Sequence, residues 1–107
     1  MAVSWVGIPY TGEKFCREFA KSYLAEKGIP MPIVDSPDDA TGWARVEAPA
    51  ENDVVVFRRA GKPNHVGVCI SAKDFIHVQE NSKSCVERLS SPLWSRRIEG
   101  FYRYVGS

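Results

Sequence analysis

Between residues 13 and 27 the apolar positions recur at helical spacing. Phe15 and Cys16, Phe19 and Ala20, then Tyr23 and Leu24 share one stripe, while Lys14, Arg17, Glu18, Lys21 and Glu26 face elsewhere. Gly28 followed by Pro30 predicts the stop. After Asp53 the period changes. VVVF, HVGVCI, FIHV, SCVERL and GFYRY are short β-favouring runs separated by turn residues, which predicts an antiparallel sheet of about five strands. The intervening stretch, 29–51, holds four of the seven prolines and is expected to be a loop, with Ser36 and Pro37 starting a short helix. Residues 1–12, with Gly7, Pro9 and Gly12, read as a turning lead-in. Helix first and sheet second predicts an α+β domain.

At 107 residues and 44% hydrophobic composition the chain has room for one core, so residues 1–107 are expected to form a single domain. Lys and Arg total 14 against 13 Asp and Glu, and the resulting net charge of +1 sets up no field for a polyanion. Nucleic acid is therefore not an expected partner. The N-terminus lacks a basic segment followed by an apolar one, and no apolar run reaches the roughly 18 residues of a membrane span. The sequence thus predicts no signal peptide and no membrane partner. Cys16, Cys69 and Cys85 are odd in number and form no C-x-x-C pair, so free thiols are expected, with no metal and no cofactor.

The candidate chemistry lies in Cys16 and the chain's two histidines, His65 and His77. Cys16 falls in the first turn of the expected helix, where free backbone N–H groups and the helix dipole favour a thiolate. A free cysteine on an apolar stripe is also an ordinary small core residue. The histidines are twelve residues apart on consecutive strands. An odd-length loop or a bulge between residues 70 and 74 places both rings on one face of a hairpin; an even loop places them on opposite faces. On one face, His77 can fix the tautomer of His65, as the third member of a triad does. Cys69 and Cys85 read as structural. Trp94, Arg96 and Arg97 read as a solvated basic turn, and Trp43 as a residue that lines a cleft or caps the core.

The segment WVGIPYTGEKFCREFAKSYLAEKGIPMP resembles the nucleophile segment of the NlpC-type cell-wall cysteine peptidases, and NDVVVFRRAGKPNHVGVCI with DFIHV resembles that family's two histidine strands. RLSSPLWSRRIEGFYRY is most similar to the C-terminal end of versions carried by tailed phages. The resemblance covers nearly the whole chain. It implies a compact papain-like fold and hydrolysis of amide bonds in peptidoglycan stem peptides, between D-glutamate and a diamino acid in the family. Cys16 would be the nucleophile, His65 the base and His77 its orienting group. Tyr10 would lie near the thiol, and the Cys16 N–H would supply an oxyanion donor. The family surrounds its cysteine as D-C-S-G or D-C-W-G, whereas here Phe15 precedes it and Arg17 and Glu18 follow. Arg17, with Lys14, Arg96 and Arg97, would then favour a stem peptide carrying free carboxylates. The implied partners are the stem peptide and phage tail proteins. The implied locations are the cytoplasm at synthesis, then a virion tail or the cell wall. Two other functions fit the same residues: a tail-tip assembly protein with a structural role, and an acyltransferase or deamidase using the same triad.

Overall fold

The computed structural model describes residues 5–12, 15–32 and 40–106. Lys14, and the short helix expected at Ser36 and Pro37, lie outside them. A helix, α1 (Phe15–Ala25), is followed by six strands: β1 (Trp43–Val46), β2 (Val54–Arg59), β3 (Lys62–Cys69), β4 (Asp74–His77), β5 (Cys85–Arg88) and β6 (Ile98–Tyr104). All pairings are antiparallel, in the order β1-β6-β2-β3-β4-β5.

The sequence pattern anticipates α1 closely. Its first turn is held by Tyr10, whose hydroxyl oxygen accepts the Phe15 N–H at 3.0 Å. Its end is a Schellman arrangement around Gly28 (φ 76°), with Ile29 N–H donating to Leu24 O at 3.0 Å and Gly28 N–H to Ala25 O at 3.0 Å. The strand count is corrected from about five to six. The proline-rich stretch ends before Gly42, whose φ of 85° makes the turn into WARV, and those four residues add an edge strand to β6. Trp43 is thus a strand residue rather than a loop residue.

Alternation along the strands builds two apolar layers. On one face, Val54, Val56, Val66, Val68, Ile76 and Val78 pack against Cys16, Phe19, Ala20, Tyr23 and Leu24 of α1. On the other, Val55, Phe57, Cys69 and Phe75 pack against Leu89 and Trp94. Trp5 extends the first layer edge-on to Phe19 and Tyr23. The lead-in is tied to the approach to β5, with Tyr10 N–H donating to Ser82 O at 2.9 Å and Gly7 N–H to Ser84 O at 2.9 Å. Asp53, buried at the entry to β2, accepts the Ala50 N–H and a two-pronged pair from Arg103 on β6, at 2.9 and 2.8 Å.

The β3–β4 hairpin decides the geometry of the histidines. Val68 pairs with Ile76 and Cys69 with Phe75, leaving a loop of odd length, residues 70–74, so His65 and His77 project from the same face. Gly67 stands between them. A Cβ added there would lie 2.9 Å from Phe75 Cδ2, 3.0 Å from Ile76 O and 3.2 Å from His77 Cβ. Gly67→Ala is therefore expected to push β4 away from β3, destabilising the fold by about 1–3 kcal/mol, the cost of overpacking a tight site. Thermal unfolding measures this; an unchanged midpoint would show that the hairpin does not need the missing side chain.

Candidate active site

Three side chains form a hydrogen-bonded line across β3, β4 and β5. His65 Nε2 lies 2.7 Å from His77 Nδ1, and His77 Nε2 is hydrogen-bonded to Glu87 Oε2. Register brings Glu87 in: β5 pairs with β4 so that Phe75 faces Glu87 and His77 faces Cys85, which puts all four on the face that carries His65. The imidazoles are enclosed by aromatics. Trp94 stacks on His65 at 5.5 Å and 25° and meets His77 edge-on at 4.7 Å, while Phe57 lies against His65 and Phe75 against His77.

Enclosure sets the protonation states. Burial, then the neighbouring His77, then Arg97 push the pKa of His65 from 6.5 down to about 3. Burial also lowers that of His77, and Glu87 only partly opposes it, so the His77–Glu87 contact is a hydrogen bond from a neutral imidazole rather than an ion pair. A carboxylate can only accept, so His77 carries its proton on Nε2 and its Nδ1 accepts from His65 Nε2. The remaining nitrogen of His65, Nδ1, keeps its lone pair and is able to take a proton.

Cys16 belongs to the helix layer, whereas the imidazoles lie among the aromatics of the other layer, and it meets β3 at Val66, the residue after His65. The N–H and C=O of Cys69 are used by Asp53 and Asn52, so alternate residues Val68 and Val66 turn theirs toward β4. Paired strand positions in β3 and β4 end at Val68 and Ile76, and the Val66 N–H donates to the Cys16 sulfur instead. The thiol thus sits where the two strands part, against the residue that follows His65. Burial raises its pKa, and the amides of Val66, Arg17 and Cys16, with the Arg17 charge, offset this only in part. Against the expectation of a thiolate favoured by the helix terminus, burial shifts the Cys16 thiol up while His65 is shifted down, so both groups rest neutral.

The other residues singled out in the sequence fall as follows. Tyr10 lies at the first turn of α1, its hydroxyl oxygen accepting the N–H of Phe15, the residue before Cys16. Arg17 follows Cys16 on α1. Trp43 lies on β1, at the edge opposite β5, where its indole N–H donates to Pro30 O at 3.1 Å and its ring packs on Tyr104; the structure does not bring it to the histidines. Trp94 is buried in the second core layer rather than solvated, and Arg97 covers its ring at 4.9 Å. Cys69 is buried, with its thiol pushed up to about 12 by burial and Asp53. Glu87 has no motif in the sequence to mark it. The even step of ten from His77 is its one signal, and it becomes readable only once the β4–β5 register is known.

A helix bearing a cysteine, laid on an antiparallel sheet whose strands carry its histidines, is the papain-like class of fold. The NlpC/P60 family model matches residues 6–103, and the chain belongs to that family. The fold is similar to that of a solved NLP/P60-family protein described as similar to lipoprotein, from Staphylococcus aureus subsp. aureus Mu50. The TM-score is 0.77 at 18% identity, over 99% of this chain and 39% of that one. It is also similar to an NlpC/P60 family protein from Bacillus cereus ATCC 10987, with a TM-score of 0.80 at 21% identity over 97% of this chain and 38% of that one. The chain therefore spans about two fifths of the length of both. A search of curated proteins gave no match. No helix among the described residues is long and apolar enough to cross a membrane.

A neutral resting pair has a kinetic signature. Alkylation of Cys16 by iodoacetamide, followed in a Cys85→Ser background, is expected to rise continuously with pH through 9, because a raised pKa keeps the thiolate scarce at neutrality. A rate plateau between pH 4 and 6 would reveal a preformed thiolate–imidazolium pair instead.

Proposed function

We propose that the chain is a cysteine peptidase or amidase that hydrolyses amide bonds in peptidoglycan stem peptides, with Cys16 as nucleophile, His65 as base and His77 as its orienting group. The observation that carries the reading is the line Glu87–His77–His65, which leaves one nitrogen of His65 able to accept a proton on the strand that touches the thiol. The NlpC/P60 family is generally one of cysteine peptidases and amidases. The phage-tail association, and with it tail proteins as partners, rests on the resemblance of residues 88–104.

In this mechanism Cys16 Sγ attacks the scissile carbonyl carbon while its proton passes to His65 Nδ1. The resulting oxyanion is held by the Cys16 N–H and the Tyr10 O–H. Burial and Arg97 disfavour the imidazolium of His65, and the carboxylate of Glu87, acting through His77, is the group placed to oppose them. The intermediate collapses as the imidazolium gives its proton to the leaving amine, and a thioester remains. His65 then takes a proton from water, whose hydroxide displaces the Cys16 thiolate and releases the acyl group as a carboxylic acid, and the imidazolium returns its proton to the sulfur to restore the thiol. No step calls for a metal or an organic cofactor. Arg17, beside the nucleophile, is suited to a substrate carboxylate; Trp43 contributes to the substrate cleft only if the stem peptide extends past α1 to the far sheet edge.

Digestion of purified sacculi, with products analysed by mass spectrometry, tests the reading. Cys16→Ala is expected to abolish release, His65→Ala to cost roughly 10²–10⁴-fold, the usual contribution of a general base, and His77→Asn less. Glu87→Gln is expected to impair turnover while leaving the folding midpoint close to wild type, because its effect acts through the tautomer. Full activity in Glu87→Gln would remove the carboxylate from the mechanism, and full activity in His65→Ala would remove the triad.

The same groups set the pH range. Because the pKa of His65 is depressed to about 3, its neutral, proton-accepting form persists well below the usual 6.5, so kcat/KM is expected to stay level down to about pH 4.5. Stability moves in the same sense: a histidine kept neutral in the fold but chargeable when unfolded loses up to about 1.4 kcal/mol of stability per pH unit below 6.5. An acid limb of kcat/KM near 6.5 would contradict the enclosure of His65.

A further inference from the structure

We propose that His77, Cys85 and Glu87 form a binding site for a thiophilic divalent cation of the zinc class, and that occupation of this site switches off the base His65. The three ligand atoms lie within 4.8 Å of one another. Cys85 Sγ is 3.8 Å from His77 Nε2 and 3.8 Å from Glu87 Oε2. A tetrahedral zinc ion with Zn–S of about 2.3 Å and Zn–N or Zn–O of about 2.0–2.1 Å sets sulfur about 3.5 Å from its neighbours, so those two edges already fit. Only the hydrogen-bonded His77–Glu87 edge has to widen. The donors are one thiolate, one imidazole and one carboxylate, a set that selects zinc or cobalt over calcium or magnesium. Cys85 and Glu87 are partly exposed, which gives the ion a way in, while His77 is fully buried behind them. No C-x-x-C pair marks this cluster in the sequence; the pairing of β5 with β4 places Cys85 opposite His77, and Glu87, a carboxylate, is the third member.

The consequence for catalysis follows from counting protons on two neutral rings. Without metal, His77 gives its Nε2–H to Glu87 and accepts at Nδ1 from His65 Nε2, which leaves the Nδ1 lone pair of His65 free. A cation takes the Nε2 lone pair of His77, so the single proton of that ring must reside on Nδ1. From there it donates to His65 Nε2, and the single proton of His65 moves to Nδ1. His65 then presents N–H, not a lone pair, to Cys16. Each imidazole keeps one proton, and the only proton released to solvent is that of the Cys85 thiol, as its Sγ–metal bond forms. Thiol enzymes are also inhibited when metal binds the nucleophile itself, whereas here the inhibitory thiolate stands on β5. Metal binding stands independently of the proposed function; the loss of activity rests on it.

Titration of the reduced, metal-free chain with Co²⁺ tests the site without any substrate. Wild type is expected to take up one equivalent with the thiolate-to-cobalt charge-transfer band and tetrahedral visible bands. Cys16→Ala is expected to keep these bands, and Cys85→Ser and Cys85→Ala to lose the charge-transfer band. A band that persists in both Cys85 variants, or vanishes in Cys16→Ala, would overturn the site. Zn²⁺ at one equivalent should then lower wild-type hydrolysis of a stem peptide at least tenfold relative to its own metal-free rate, and lower that of Cys85→Ser less than twofold. Equal inhibition of both would overturn the switch even if cobalt binds as expected. If wild type has no hydrolytic activity, the proposed function fails while the cobalt result still decides the site.

Discussion

A buried imidazole serves as a base only if something fixes which of its nitrogens is bare, and in this domain that requirement is met by a line of hydrogen bonds across three strands. Glu87 on β5 orients His77 on β4, which orients His65 on β3. The line exists only in one register. Moving β4 by one residue against β3 or β5 would send His77 to the helix face and separate all three groups. Other features of the sheet serve the same register: the odd loop after Cys69, the missing side chain at Gly67, and the aromatic enclosure by Phe57, Phe75 and Trp94.

Enclosure and activation pull in opposite directions. Three backbone amides and the Arg17 charge favour a thiolate at Cys16, yet burial outweighs them, and burial likewise holds His65 neutral. In the proposed mechanism, charge separation would thus be deferred until substrate arrives. That arrangement limits adventitious oxidation of the thiol, because the thiolate rather than the thiol is the reactive species. In the proposed mechanism Glu87 would also act beyond orientation, as the carboxylate hydrogen-bonded to the relay when His65 becomes charged.

Much of this is legible in the sequence. The period of α1, its stop at Gly28, and the β-favouring runs after Asp53 are local signals, and the fold obeys them. The thiol on the helix and the two histidines on consecutive strands were marked by residue type and spacing. What is not legible there depends on tertiary contact. Strand β1 hides behind the prolines and is stabilised by β6, whose Tyr104 pairs with Trp43 across 61 residues of sequence. Glu87 and Cys85 alternate with ordinary surface residues of an edge strand, and Trp94 sits among arginines that look solvated. The thiolate expectation failed for a related reason: a helix terminus is visible in sequence, whereas the depth at which it is buried is not.

The central claim is the tautomer of His65, and nitrogen-15 NMR of the two-histidine chain reads it directly. In metal-free protein at pH 7 the account predicts neutral rings, with the proton of His65 on Nε2 and that of His77 on Nε2, and the imidazolium of His65 forming only as the pH falls toward 3. A proton on Nδ1 of His65, or a charged ring at pH 7, would contradict it.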